Sequence, residues 1–267
     1  MKITVKRWLL TAAILAALFC SSVQVADAQI DLKPWDFNIT GVVTGLARIT
    51  FVDDGTLSGY LIVRPTPHIN PINLPTVVAY GFTTFDGEWS FDGNGHLIGF
   101  FGGGSSELPL NMSFSGKLST TAMSLKAKGS DGSWRMRGIQ EDADSSFDLT
   151  SWSATILTGT QKSFEFFDMS AFFVCLDDPP PADLSTCVNK DFKDNLFFIF
   201  GSTAGSDTIG AALVGQNRIA LIIENITTGV DRVETGTIKP GPPRASTGMK
   251  GLDTDNPNAR MSIVEQP

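Results

Sequence analysis

The segment ELPLNMSFSGK, residues 107–117, alternates apolar and polar side chains with a period of two. One set comprises Leu108, Leu110, Met112 and Phe114, and the other comprises Glu107, Asn111, Ser113, Ser115 and Lys117. Successive side chains of a β-strand point to opposite faces, so this alternation predicts a strand with one buried face. The flanking sequence, Tyr80 to Ile139, repeats the pattern between turn sequences such as Asp86-Gly87 and Asp92-Gly93-Asn94-Gly95, which predicts antiparallel hairpins.

The remaining sequence extends the same pattern over most of the chain. Ile39 to Phe51 reads as one long strand, and further strands follow beyond residue 150. Helix is scarce, with a short one over Ser163 to Phe173, and the Pro- and Gly-rich stretch Lys239 to Asn258 predicts an exposed loop. We therefore predict an all-β protein: an antiparallel meander of roughly a dozen strands that forms a β-barrel or a barrel-like sandwich.

The amino terminus has the features of a bacterial export signal. Lys2, Lys6 and Arg7 precede an apolar run, and Ala26-Asp27-Ala28 supplies the small residues that a signal peptidase recognises. We expect residues 1–28 to be cleaved and the mature protein to be periplasmic or extracellular. The apolar run is shorter than the ~20 residues that a membrane span needs, so we expect no transmembrane segment in the mature chain.

Residues 29–267 are expected to form a single all-β domain. The polar stretch Gln140 to Ser146 interrupts the strand pattern, and a subdivision near residues 140–150 is the alternative.

The chain is acidic, with a formal net charge of −8. Nucleic acids and anionic membranes bind clusters of Lys and Arg, so the overall charge argues against a nucleic-acid partner. Cys175 and Cys187 are the two cysteines beyond the signal, and an even number in an exported chain predicts a disulfide between them.

No catalytic or metal-binding motif stands out. His68 and His96 are the only histidines, which leaves little room for a His-based triad or a three-histidine zinc site. We expect no catalytic residues, no metal site and no cofactor, and binding rather than enzymatic activity.

The 19 Phe residues, together with small residues in the Ile39 to Phe51 strand, suggest a barrel whose interior accepts a small hydrophobic ligand. The candidate ligand-binding residues are Val43, Ala47, Phe51, Met112, Phe114 and Trp134. The alternatives are a structural or surface-interaction protein that acts through exposed loops such as Pro65 to Pro75 and Lys239 to Asn258, and an outer-membrane β-barrel.

Overall fold

The chain forms two closed antiparallel barrels of eight strands each. The computed structural model describes residues 34–66, 81–104, 109–129, 132–141, 145–158, 160–175, 190–203, 206–226, 230–253 and 260–267, with positions 179, 182, 186 and 187. The predicted signal, His68 and most of the Pro65 to Pro75 loop lie outside these residues. No helix in the described segments is long and apolar enough to cross a membrane.

The first barrel contains β1 (Trp35–Gly41), β2 (Val43–Phe51), β3 (Thr56–Pro65), β4 (Gly81–Phe91), β5 (Leu97–Gly104), β6 (Pro109–Leu118), β7 (Ala122–Gly129) and β8 (Gly132–Gln140). Each strand pairs with the next in sequence, and β1 pairs with β8 to close the barrel. Closure leaves no free sheet edge in this barrel.

The second barrel contains β9 (Thr150–Thr158), β10 (Gln161–Cys175), β11 (Lys190–Thr203), β12 (Ser206–Gly215), β13 (Arg218–Asn225), β14 (Val230–Thr237), β15 (Ala245–Asp253) and β16 (Arg260–Glu265). It is closed by the pairing of β16 with β9. A short 3-10 helix, Ser145–Phe147, lies between the barrels in sequence.

The predicted all-β barrel fold is confirmed, with sixteen described strands instead of about twelve. The single strand predicted over Ile39 to Phe51 is wrong, because the chain reverses at Val42, between β1 and β2. The register pairs Ile39 with Gly45, so odd residues oppose odd residues and the alternation continues through the hairpin without a break.

Three other local predictions are wrong. The hairpin predicted at Asp86-Gly87 is absent because β4 runs straight through it, and a side chain at Gly87 would collide with the carbonyl of Phe100 on β5. The helix predicted at Ser163 to Phe173 is part of β10, where exposed Phe166 obscures the alternation. The exposed loop predicted over Lys239 to Asn258 is the third wrong prediction. Within it, Ala245–Asp253 forms β15 and pairs with β14 on one side and β16 on the other.

Each barrel has an apolar interior. The inward side chains of the first barrel form one buried cluster that includes Phe37, Ile49, Leu97 and Met136. Trp152, Ile156 and Met261 belong to the corresponding cluster of the second barrel. Eight-stranded barrels are narrow, so these side chains occupy much of each interior.

The barrels pack side by side through a third buried cluster. Outward side chains of β2 and β3 meet outward side chains of β11 to β14, and the cluster comprises Leu46, Tyr60, Ile62, Leu196, Ala211, Leu213, Ala220 and Val233. Arg64 is buried beside them and donates a hydrogen bond from Nε to Thr235 Oγ1 at 2.9 Å. The interface therefore has an apolar centre and a hydrogen-bonded polar contact.

Candidate functional site

The six residues predicted to bind a ligand all lie in the core of the first barrel. Val43, Ala47, Phe51, Met112, Phe114 and Trp134 are each at most 4% exposed. They pack with the other core residues: the rings of Phe114 and Phe101 stack at 4.5 Å. Trp134 Nε1 has no hydrogen-bond partner among the described residues, and the same holds for Trp35 Nε1.

A cavity of about 490 Å³ lies where the first barrel meets one end of the second. We call it the junction cavity. Phe147, Val214 and Ile238 give it apolar walls, and its polar lining includes Glu141, Asn195, Gln216 and Arg244. Its volume falls within the ~300–1,000 Å³ range of small-molecule sites, which also occur preferentially at domain interfaces.

Behind the cavity, Asp36 anchors a polar network that joins the two barrels. Asp36 on β1 is 3% exposed, and Arg48 Nη1 lies 2.8 and 2.7 Å from its two carboxylate oxygens. Asn195 on β11 donates from Nδ2 to Asp36 Oδ2 at 3.0 Å. Burial raises the pKa of Asp36 to about 6, and the Arg48 charge limits this rise.

The β12–β13 turn of the second barrel docks onto the first barrel. Gln216 Nε2 donates to the carbonyl oxygens of Asp36 and Arg137, and the Gln216 backbone N–H donates to Glu141 Oε2 at 2.8 Å. A Cβ at Gly215 would lie 3.0 Å from Asp36 Cβ, so a glycine permits this close approach. The turn therefore places the Gln216 side chain across the barrel interface.

Unusual backbone conformations concentrate at this junction. Gln216 and Asn217 have φ values of 53° and 55°, as a two-residue hairpin turn of the I′ type requires. Asn195 has a φ of 62° and lies near the irregularity in the β10–β11 register. Non-glycine residues with positive φ values cost conformational free energy and often occur at functional sites. All three of these residues line the junction cavity.

Arg244 forms another wall of the junction cavity. Its guanidinium makes a bidentate contact with the Glu265 carboxylate: Nε donates to Oε2 at 2.9 Å and Nη2 donates to Oε1 at 2.6 Å. It also lies 3.9 Å from the ring centroid of Phe147 and donates to Ser146 Oγ at 2.7 Å. Hydrogen bonding from Arg244 holds the pKa of Glu265 below its ordinary value. The carboxylate compensates the guanidinium charge, so this wall is close to neutral.

Within the described residues there is no group of three or more His, Cys, Asp and Glu side chains that could hold a metal ion. His96 Nδ1 lies 3.3 Å from Asp92 Oδ2 in the β4–β5 turn, and this contact stabilises the turn. Cys187 is 5% exposed, while the side chain of Cys175 lies outside the described residues, so the predicted disulfide stays a prediction.

Sequence reasoning did not find the junction cavity, because its residues come from distant parts of the chain. The turn Gly215-Gln216-Asn217-Arg218 lies between two apolar strands, but nothing in its sequence points to a partner on the first barrel. A signal did exist in β2, β3 and β13, which carry apolar side chains on both faces, as buried sheet surfaces do.

No protein-family model matches the chain, and no curated protein matches it significantly.

Proposed function

We propose that the protein binds a small amphiphilic ligand in the junction cavity. The proposal rests on the cavity of about 490 Å³ and on the two kinds of side chain that line it. Its apolar walls are Phe147, Val214 and Ile238, and its polar groups are Glu141, Asn195 and Gln216. Apolar walls provide binding free energy, and a few fixed polar groups orient the ligand. The proposal retains the small hydrophobic ligand expected from the sequence and moves its site from the barrel interior to the barrel junction.

The charges of the lining favour a neutral or cationic ligand. Glu141 is the one carboxylate among the described lining residues, and Arg244 is the one cation there. Because Glu265 neutralises Arg244, an anionic ligand would gain little from that guanidinium and would be repelled by Glu141. A ligand with a hydroxyl, amide or amine group on an apolar body fits these groups best.

The interior of the first barrel is a second candidate site. The indole N–H groups of Trp35 and Trp134 are buried there without a hydrogen-bond partner among the described residues. A buried donor without a partner costs free energy, and an acceptor on a bound molecule would remove this cost. This observation favours the interior site predicted from the sequence. A variant that blocks the junction cavity distinguishes the two sites, because it should leave binding in the barrel interior unchanged.

We further propose that the protein acts as an exported, soluble binding protein. The outward positions of β6 and β7 are mostly Ser and Lys, whereas the inward positions carry Met112, Phe114 and Leu125. An outer-membrane barrel needs an apolar outer band around a polar interior, and these strands have the opposite arrangement. Fractionation of producing cells tests the proposal: release into the periplasmic or extracellular fraction without detergent supports it, and a need for detergent contradicts it.

Native mass spectrometry of the mature protein tests the ligand site. Wild-type protein purified gently from its producing cells should carry a bound small molecule. Ser146→Trp places a bulky side chain at the exposed rim of the junction cavity and should remove that mass, whereas Ser115→Trp, on the outer face of β6, should retain it. Retention by both variants places the ligand elsewhere, and no bound mass on the wild-type protein contradicts ligand carriage.

A further inference from the structure

A cluster of positive charge covers part of the outer surface of the first barrel. Its members are the exposed side chains Lys117 on β6, Lys126 and Lys128 on β7, and Arg135 and Arg137 on β8. We call these five residues the basic face. They are consecutive outward positions on three neighbouring strands, so their charges lie on one continuous surface.

Negative charge is absent from the same surface within the described residues. The strands β6, β7 and β8 contain no Asp or Glu. The flanking strands contribute uncharged outward residues next to them, Ile98 and Phe100 on β5 and Thr40 on β1. No ion pair to the basic face occurs in the described part of the chain, although the whole chain has a net charge of −8.

The strand register brings like charges together. Lys126 on β7 lies directly opposite Arg135 on β8. Directly opposed like charges destabilise an antiparallel pair, so this arrangement lowers the stability of the isolated barrel. A bound polyanion would convert the repulsion into attraction, which gives a physical reason for placing the two cations there.

Hydroxyl groups fill the positions between the cations. Ser115 lies opposite Lys126, Ser113 lies opposite Lys128, and Ser124 lies between Lys117 and Arg137 in the neighbouring strands. These serines are exposed. The surface can therefore neutralise anionic groups and also exchange hydrogen bonds with hydroxyl groups between them.

We propose that the basic face binds an acidic polysaccharide. Its alternating cations and hydroxyls match a chain that carries carboxylates on hydroxyl-rich rings. A bilayer surface is normally held by apolar side chains inserted beside the cations, and single-stranded nucleic acid by aromatic stacking platforms. Among the outward positions of β6 to β8 in the described segments none is aromatic, and Ile139, half-buried at the end of β8, is the one large apolar side chain. Ile98 and Phe100 of β5 are exposed at the border of the basic face, so a membrane and a nucleic acid are compared with the polysaccharide as partners.

Binding to polygalacturonate tests this proposal, with neutral dextran as the reference polymer. The wild-type protein should bind polygalacturonate and not dextran, and its affinity should fall steeply between about 50 and about 200 mM salt. The double variant K126S/R135S should bind about tenfold more weakly, because it removes two of the five cations. Serine matches the neighbouring residues on these exposed strands, so the barrel should keep its circular dichroism spectrum.

The matched control is K162S/K239S, which removes two exposed cations from the second barrel. It should change the affinity less than twofold. Equal losses in both double variants, or no binding by the wild-type protein, overturn the proposal. Tighter binding to phosphatidylglycerol vesicles or to single-stranded DNA than to polygalacturonate also overturns it, because the partner would then be a membrane or a nucleic acid.

Discussion

Asn195 of the second barrel donates a hydrogen bond to Asp36 of the first barrel, with Nδ2 and Oδ2 3.0 Å apart. The two residues are 159 positions apart in sequence and both are 3% exposed. The contact lies behind the junction cavity, so the geometry of the candidate site depends on how the two barrels pack. Perturbing this packing should therefore change both stability and ligand binding.

Asp36 should make the stability of the protein depend on pH in an unusual direction. Its pKa is raised from 3.8 to about 6 by burial, so the folded state binds a proton that the unfolded state has already released. The contribution of Asp36 to the free energy of unfolding is fully present below about pH 4 and is lost as the pH rises through about 6. The shift corresponds to a loss on the order of 2–3 kcal/mol.

Asp36→Asn tests this dependence, with urea unfolding measured at intervals from pH 4 to 7. The free energy of unfolding of the wild type minus that of the variant should fall across this range. Asp86→Asn, which alters an exposed carboxylate on β4, serves as the control and should show no such fall. A difference that is constant or rises with pH would show that the folded state does not favour protonated Asp36.

Enlarging Gly215 should separate the β12–β13 turn from the first barrel. A Cβ at this position would already lie 3.0 Å from Asp36 Cβ, and Gly215→Val adds two methyl groups next to a buried side chain. We expect a loss of about 1–3 kcal/mol in the free energy of unfolding, as overpacking usually causes. Gly93→Val is the matched control, because nothing lies within 4 Å of its added Cβ. Equal effects of the two substitutions in thermal or urea unfolding would argue against tight docking of the turn.

Arg244 should not be replaceable by lysine. Its guanidinium contacts both carboxylate oxygens of Glu265 and lies over the ring of Phe147, whereas an ammonium group cannot do all of this at once. Arg244→Lys should lower the free energy of unfolding by about 1–2 kcal/mol at pH 7. Arg135→Lys, on the exposed outer face of β8, should be nearly neutral.

The ion pair of Arg244 and Glu265 should make the stability of the protein sensitive to acid. The pKa of Glu265 is lowered in the folded state, so its contribution is present above its unfolded pKa and is lost as the pH falls through its folded pKa. The stability difference between wild type and Arg244→Lys should therefore shrink as the pH falls below about 4. A difference that persists unchanged at pH 3 would contradict the role assigned to the ion pair.

The disulfide between Cys175 and Cys187 remains a prediction from the sequence. Mass spectrometry of peptides from unreduced mature protein should find the two cysteines linked. In the chain-entropy model, a bond that closes so short a loop contributes about 2–3 kcal/mol, so reduction should lower the midpoint of thermal unfolding. Free thiols at both positions in protein isolated from its native compartment would refute the pairing.

Much of the fold was predictable because alternation of apolar and polar residues records which face of a strand is buried. The strand around Met112 and Phe114 is correct for this reason, as is the turn at Asp92 to Gly95. Alternation says less about where a strand ends. It failed at Val42, where a tight hairpin preserved the odd–odd register, and at Gly87, whose turn-like sequence lies within a strand.

The junction cavity was not predictable from local patterns. It depends on the docking of two closed surfaces, and a polar residue such as Gln216 has the same sequence signature whether it faces water or another barrel. The outward residues Leu46 and Ile62 are apolar, as a covered surface requires, but nothing in their own strands identifies Leu196 and Leu213 as the partners. Long-range packing of this kind leaves no periodic trace in the sequence.

The most direct test of the account is a fluorescence titration with the neutral, apolar dye Nile red. The wild-type protein and Ser115→Trp should each bind the dye at one saturable site with similar affinity. Ser146→Trp should lose that site and keep the same folded circular dichroism spectrum, because its side chain occupies the rim of the junction cavity. Saturable binding of equal affinity in Ser146→Trp would contradict the account and would favour the interior of the first barrel as the ligand site.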